Sequence, residues 1–82
     1  MAGWTVYILI CADKTLYTGI TNDLPGRLAK HAKGTGAKYT RGRGPFKVLH
    51  TERHRTKGRA LKREIEIKNL RKEQKLKLSS RA

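Results

Sequence analysis

Arg27 and His31 stand at i and i+4 in a stretch that reads as a helix, so a guanidinium and an imidazole converge beside its apolar stripe. Two phenols precede them: Tyr7 and Tyr17 lie in stretches that read as strands joined by a short turn. Facing residues of an antiparallel pair point the same way. The phenols therefore share a sheet face only if paired positions sum to an even number. That requires a turn of three or five residues; a four-residue turn would send the two hydroxyls to opposite faces.

A carboxylate is the remaining reactive group, and two compete for the role. Around Glu64 the positions at −4, −3 and +3 are Ala60, Leu61 and Ile67, an apolar side of the second helix. Around Glu66 they are Lys62, Arg63 and Asn69, a solvated face. An acid held against an apolar side is costly unless a cation or a metal compensates it, which singles out Glu64. The plainer role for Glu64 is an ion pair with Lys68 at i+4, worth a few tenths of a kcal/mol.

The elements that must position these groups follow from the pattern. Trp4 to Cys11 is β-branched and aromatic and reads as a strand; Ala12 to Thr15 is a polar turn, and Leu16 to Ile20 returns. Thr21-Asn22-Asp23 supplies helix-capping oxygens, and Pro25 suits a first turn. The helix runs to about Lys33, with Leu24, Leu28 and Ala32 as its stripe, and Gly34-Thr35-Gly36 ends it. Ala37 to Pro45 is a glycine-rich basic loop. Phe46 to about His54 reads as a third strand, in which Phe46, Val48 and His50 alternate imperfectly with Lys47 and Leu49. Thr56 caps a second helix through Leu70, and Leu76 and Leu78 predict a short last helix packing back. The expected architecture is α+β: a small three-stranded antiparallel sheet flanked by helices, one domain over 1–82. His50 and His54 lie on one strand face roughly 13 Å apart, too far to share a metal, and read as surface or nucleic-acid-proximal residues.

Charge narrows the partner. Lys and Arg number 20 against six Asp and Glu, a net charge of +14, and only Lys14 of the 20 precedes Pro25. Such density attracts polyanions over long range, so nucleic acid is the leading partner. An anionic membrane surface is the rival, but neither of the two main predicted helices has the broad aromatic or leucine face that interfacial insertion requires. The apolar run Val6 to Ala12 is far too short to span a bilayer and lacks a preceding positive charge; it reads as a buried strand and points to a cytoplasmic protein. The single Cys11 excludes an internal disulfide and a thiolate zinc cluster, and its apolar setting reads as core.

The pieces together resemble the GIY-YIG nucleases, and most of all their small stand-alone bacterial members. Thr5-Val6-Tyr7 and Tyr17-Thr18-Gly19 resemble the two halves of the signature, with threonines that suit strands replacing the usual residues. Arg27 and His31 fall where the family carries a helix Arg and a following His or Tyr, and Glu64 falls on the later helix that bears its metal-binding Glu. Many members carry an Asn beyond that Glu; here Asn69 lies five residues on. The resemblance implies hydrolysis of DNA phosphodiesters with one divalent cation, Mg²⁺ or Mn²⁺, held by Glu64, and no small-molecule cofactor. It gives Arg27 to the phosphate and makes Tyr17 the favoured general base. Tyr7 and His31 would assist it or take the proton themselves. Lys38, Tyr39, Arg41 and Arg43, an aromatic among basic residues, are candidate substrate contacts. Without a separate recognition module, shape is the better guess for what is read, in branched or single-stranded DNA. The rival functions are a nucleic-acid-binding module that kept the fold, or a nuclease subunit dependent on a partner.

Overall fold

The computed structural model describes residues 3–34 and 42–79. In chain order its elements are β1 (Trp4–Ile10), β2 (Leu16–Thr21), α1 (Leu24–Lys33), β3 (Lys47–His54), α2 (Lys57–Lys68) and α3 (Lys72–Ser79). The strands form an antiparallel sheet in the order β2-β1-β3, so the most apolar strand is the central one. This is the expected α+β architecture.

The turn between β1 and β2 settles the parity question. Cys11 N–H donates to Thr15 O and Lys14 N–H donates to Cys11 O, each at 2.9 Å. This leaves Ala12, Asp13 and Lys14 as a three-residue connection, with Lys14 in the left-handed region at φ 73°. Asp13 stabilises it by accepting from the Thr15 amide and hydroxyl. Paired positions consequently sum to an even number: Leu9 faces Tyr17 and Tyr7 faces Gly19. Tyr7 and Tyr17 share a face.

The two faces of β1 do different work. Val6 and Ile8 pack with Ala60 and Ile67 of α2, and Trp4, Leu16, Ile20, Leu49 and Leu78 complete that apolar layer. The opposite face carries Thr5, Tyr7 and Leu9, all buried, on the side where α1 lies. Burying both faces of one strand explains why Thr5 to Leu9 is almost continuously hydrophobic.

The imperfect alternation in β3 has a structural cause. Ile8 pairs with His50 but Leu9 pairs with Val48, so Leu49 is an extra residue in a bulge. Leu49 packs against the apolar core, and Val48 shares the Leu9 face. The strand begins at Lys47 rather than Phe46. Two other expectations are corrected. Leu61 is 40 % exposed, so only Ala60 and Ile67 bury the inner side of α2; and Leu78, not the exposed Leu76, seats α3. Among the described residues, no helix is long and apolar enough to cross a membrane.

Candidate active site

α1 is fixed at both ends. Asp23 caps it by accepting from the Gly26 amide at 3.2 Å, Pro25 occupies the first turn, and Thr21 Oγ1 accepts from the Asp23 amide. Gly34, at φ 81°, closes the helix with its N–H directed to His31 O and Lys30 O. The helix does not pack through its leucine stripe: Ala32 is exposed, Leu24 and Leu28 are half-buried, and the one fully buried side chain is His31, 1 % exposed. A buried imidazole needs a polar partner, and it has one. Tyr7 Oη lies 2.9 Å from His31 Nε2.

Three rings form the centre of the site. The Tyr17 ring lies 5.2 Å from that of His31, edge to face, and 6.2 Å from that of Tyr7, tilted by 50°. Gly19 makes the cluster possible. It faces Tyr7 across the ladder, and a Cβ there would stand 2.8 Å from Tyr7 Oη and 3.0 Å from Tyr17 Cε2. Phe46 closes the other side, 6.0 Å from His31 edge to face. Phe46 is a contributor that sequence reasoning treated only as the start of a strand.

Arg27 and Glu64, from different helices, both act on Tyr7. Burial raises the Tyr7 pKa above its ordinary value. The adjacent Arg27 guanidinium opposes that rise, and the charges of Tyr17 and Glu64 add to it. Arg27 is correspondingly held as a cation, chiefly by the Tyr7 oxygen beside it. His31 is pushed below the usual imidazole value, first by burial and then by the Arg27 charge, so its ring is neutral at pH 7. Arg27 Nε is buried with no hydrogen-bond partner among the described residues. A guanidinium N–H in that state is a docking point for an anionic oxygen.

Glu64 is the less exposed of the two competing acids, its side chain 16 % exposed against 57 % for Glu66. It pairs with Lys68 at 3.3 Å, the plain ion pair that the i+4 spacing allows, while Glu66 receives Arg63. No group of three or more His, Cys, Asp or Glu side chains suited to a metal occurs among the described residues. A carboxylate that belongs to no such group does not suit zinc, which takes three or four protein ligands. It does suit a hard cation such as Mg²⁺ that keeps most of its water shell.

Other expected contacts lie elsewhere. Lys38, Tyr39 and Arg41 fall outside the described residues. Arg43 pairs with Asp13 of the β1–β2 turn, and its carbonyl accepts from Ala12 N–H at 2.9 Å, so it braces the segment before β3. His50 and His54 flank Glu52, at 2.8 Å and 3.4 Å, and do not face the Tyr7 cluster. Arg63 grips the same carboxylate through Nε and Nη2 at 2.8 Å and 2.9 Å, tying α2 to β3 one residue before Glu64. That grip lowers the Glu52 pKa to about 2.

Comparison with known proteins decides the family. The profile of the GIY-YIG catalytic domain matches residues 3–77. The chain belongs to the GIY-YIG nuclease family. Its relatives within that family are small. It is 57% identical over 65 residues to a UPF0213 protein of Natronomonas pharaonis, covering 79% of this chain and 76% of that one. It is 55% identical over 73 residues to one of Oceanobacillus iheyensis, covering 89% and 85%. The solution NMR structure of the UPF0213 protein BH0048 from Bacillus halodurans aligns with a TM-score of 0.60 at 48% identity, over 98% of this chain and 84% of that one. The protein EF2693 from E. faecalis aligns with a TM-score of 0.67 at 38% identity, over 94% and 82%. The three-stranded sheet with its helices is thus the fold of GIY-YIG relatives solved in solution.

Proposed function

We propose that this protein is an endonuclease that hydrolyses DNA phosphodiester bonds with the help of one divalent cation and selects DNA by shape rather than by sequence. The observation that carries this reading is the cluster on one sheet face: Tyr7 Oη lies 2.9 Å from His31 Nε2, the Tyr17 ring stands 5.2 Å from that of His31, and the Arg27 guanidinium beside Tyr7 carries a buried, unpartnered Nε. Binding nucleic acid by charge alone has no use for such a focus.

The roles divide by burial and charge. Arg27 offers fork-shaped donors, one of them already desolvated and without a partner, to the scissile phosphate, and stabilises the charge that grows on it. Tyr7 is fully buried with its pKa raised, so it stays a phenol at neutral pH and fixes the His31 ring through their hydrogen bond. Tyr17 is half-exposed on the same face, where its oxygen can meet the attacking water and receive its proton. Glu64 would hold Mg²⁺ or Mn²⁺. The cation, when bound, supplies Lewis acidity at the phosphate and stabilises the leaving 3′ oxygen.

A second reading, a binding module without catalysis, rests on the Glu64–Lys68 pair, which gives Glu64 a structural partner. One experiment separates the two. Labelled duplex, single-stranded, flap and four-way-junction DNAs are incubated with Mg²⁺, Mn²⁺ or EDTA, using the native chain and Arg27→Ala. Metal-dependent cutting that Arg27→Ala abolishes is the expected result. Tight binding with no cutting of any substrate would leave the binding module.

A further inference from the structure

Beside the Tyr7–His31 pair the structure holds an apolar cavity that the catalytic roles above do not use. Its volume is about 430 Å³, and Leu9, Leu28, Pro45, Phe46 and Val48 line it, with the His31 ring as the wall it shares with the site. A second cleft of about 290 Å³ adjoins it, sharing His31, Ala32, Gly44 and Phe46 and adding Lys33, Gly34 and Gly42. Among the described residues nothing lies within 4 Å of where a Cβ at Gly34 or Gly42 would stand, so that cleft is lined by glycine backbone and the Lys33 chain.

We infer that the apolar cavity receives one unpaired nucleobase of single-stranded DNA, next to the phosphate being cut, while Lys33 and the glycine backbone of the adjoining cleft take the flanking phosphate. This deepens the nuclease reading and rests on it for the position of the scissile bond. Three observations support it. The paired clefts match the two halves of a nucleotide, an apolar slot with aromatic walls beside a cationic, backbone-lined groove. The slot is braced before any ligand arrives: the Arg43 carbonyl accepts from Ala12, and the Arg43 side chain pairs with Asp13. And Val48, on the Leu9 face because of the bulge at Leu49, is 44 % exposed, an apolar lip held open to solvent on a chain of net charge +14. A base within a duplex cannot enter such a slot without leaving its stack, so the cavity favours strands already unpaired.

The test measures binding in EDTA, so it does not depend on cleavage. Fluorescence anisotropy of a single-stranded oligonucleotide and of its duplex is compared for the native chain, Val48→Glu, Phe46→Leu and Ile65→Glu. Ile65 is 60 % exposed on α2 and does not line the cavity, so Ile65→Glu matches the charge change away from it. Val48→Glu should weaken single-strand binding about tenfold more than Ile65→Glu does, with equal losses on duplex. Phe46→Leu, which changes no charge, should reproduce the single-strand loss. Equal losses for Val48→Glu and Ile65→Glu on single strands, or an unchanged affinity in Phe46→Leu, would overturn the inference. Failure of the nuclease reading would show instead as absent cutting with the single-strand preference intact.

Discussion

Gly19 lies beneath the Tyr7 ring, where a methyl group would stand 2.8 Å from the hydroxyl oxygen and 2.9 Å from Cζ. The glycine of the second tripeptide is therefore a space left for two phenols, and not a requirement of the backbone, which is ordinary strand. Gly19→Ala must push Tyr7 and Tyr17 away from His31. It should lower stability by about 1–3 kcal/mol, the usual cost of overpacking, and reduce cleavage while leaving DNA affinity nearly unchanged. Thermal unfolding and single-turnover cleavage measure the two effects separately.

The phenols should respond differently to loss of their hydroxyls. Tyr7→Phe removes the hydroxyl that hydrogen-bonds a buried imidazole nitrogen and should cost roughly 1–3 kcal/mol of stability. Tyr17→Phe removes a half-exposed hydroxyl. It should cost less in unfolding than Tyr7→Phe yet lower the cleavage rate by about 10²–10⁴-fold, as expected for a lost general base. Equal stability losses in both variants would contradict this division.

His31 makes the site sensitive to acid. Its folded pKa lies below its ordinary 6.5, by burial first and by Arg27 second, so the unfolded chain binds the proton more readily. The stability it contributes is complete above about pH 6.5 and is lost as pH falls through the lower, folded value. An NMR titration should place the His31 midpoint below that of an exposed histidine, and His31→Phe should flatten the pH dependence of unfolding in this window.

Glu52 governs a more acidic window. Arg63 and the two histidines hold it at about 2 instead of 4.5, and its side chain is 21 % exposed. The interaction, on the order of 3 kcal/mol, is complete above pH 4.5 and disappears as pH falls through 2. Because Arg63 precedes Glu64, Glu52→Gln should loosen α2 against β3. Faster amide exchange in α2 is the expected signature.

How much of this was legible in the sequence depends on the range of the interaction. The strands, a cap within Thr21-Asn22-Asp23, the cap at Thr56 and the lower exposure of Glu64 against Glu66 follow from local patterns, and the structure shows them. The parity of the turn could be framed but not decided, because choosing three residues over four depends on Lys14 adopting a positive φ. The bulge at Leu49 was visible only as a broken alternation. The packing of α1 was misread: its leucine stripe suggested a greasy contact, whereas a histidine buried against a tyrosine 24 residues earlier anchors it. The Arg63–Glu52 grip and the contact of Phe46 with His31 join separate elements, and no local spacing announces either one.

The proposed assignment of Glu64 to the active site is tested most directly by comparing Glu64→Gln with Glu66→Gln. The two acids sit two residues apart on one helix, each with one basic partner on that helix, and the two changes remove the same charge. Cleavage of the best DNA substrate in Mg²⁺ should fall roughly a hundredfold or more in Glu64→Gln and by less than about threefold in Glu66→Gln, with binding in EDTA preserved in both. Cutting that survives in Glu64→Gln, or falls equally in the two variants, would contradict the assignment of Glu64 to the active site.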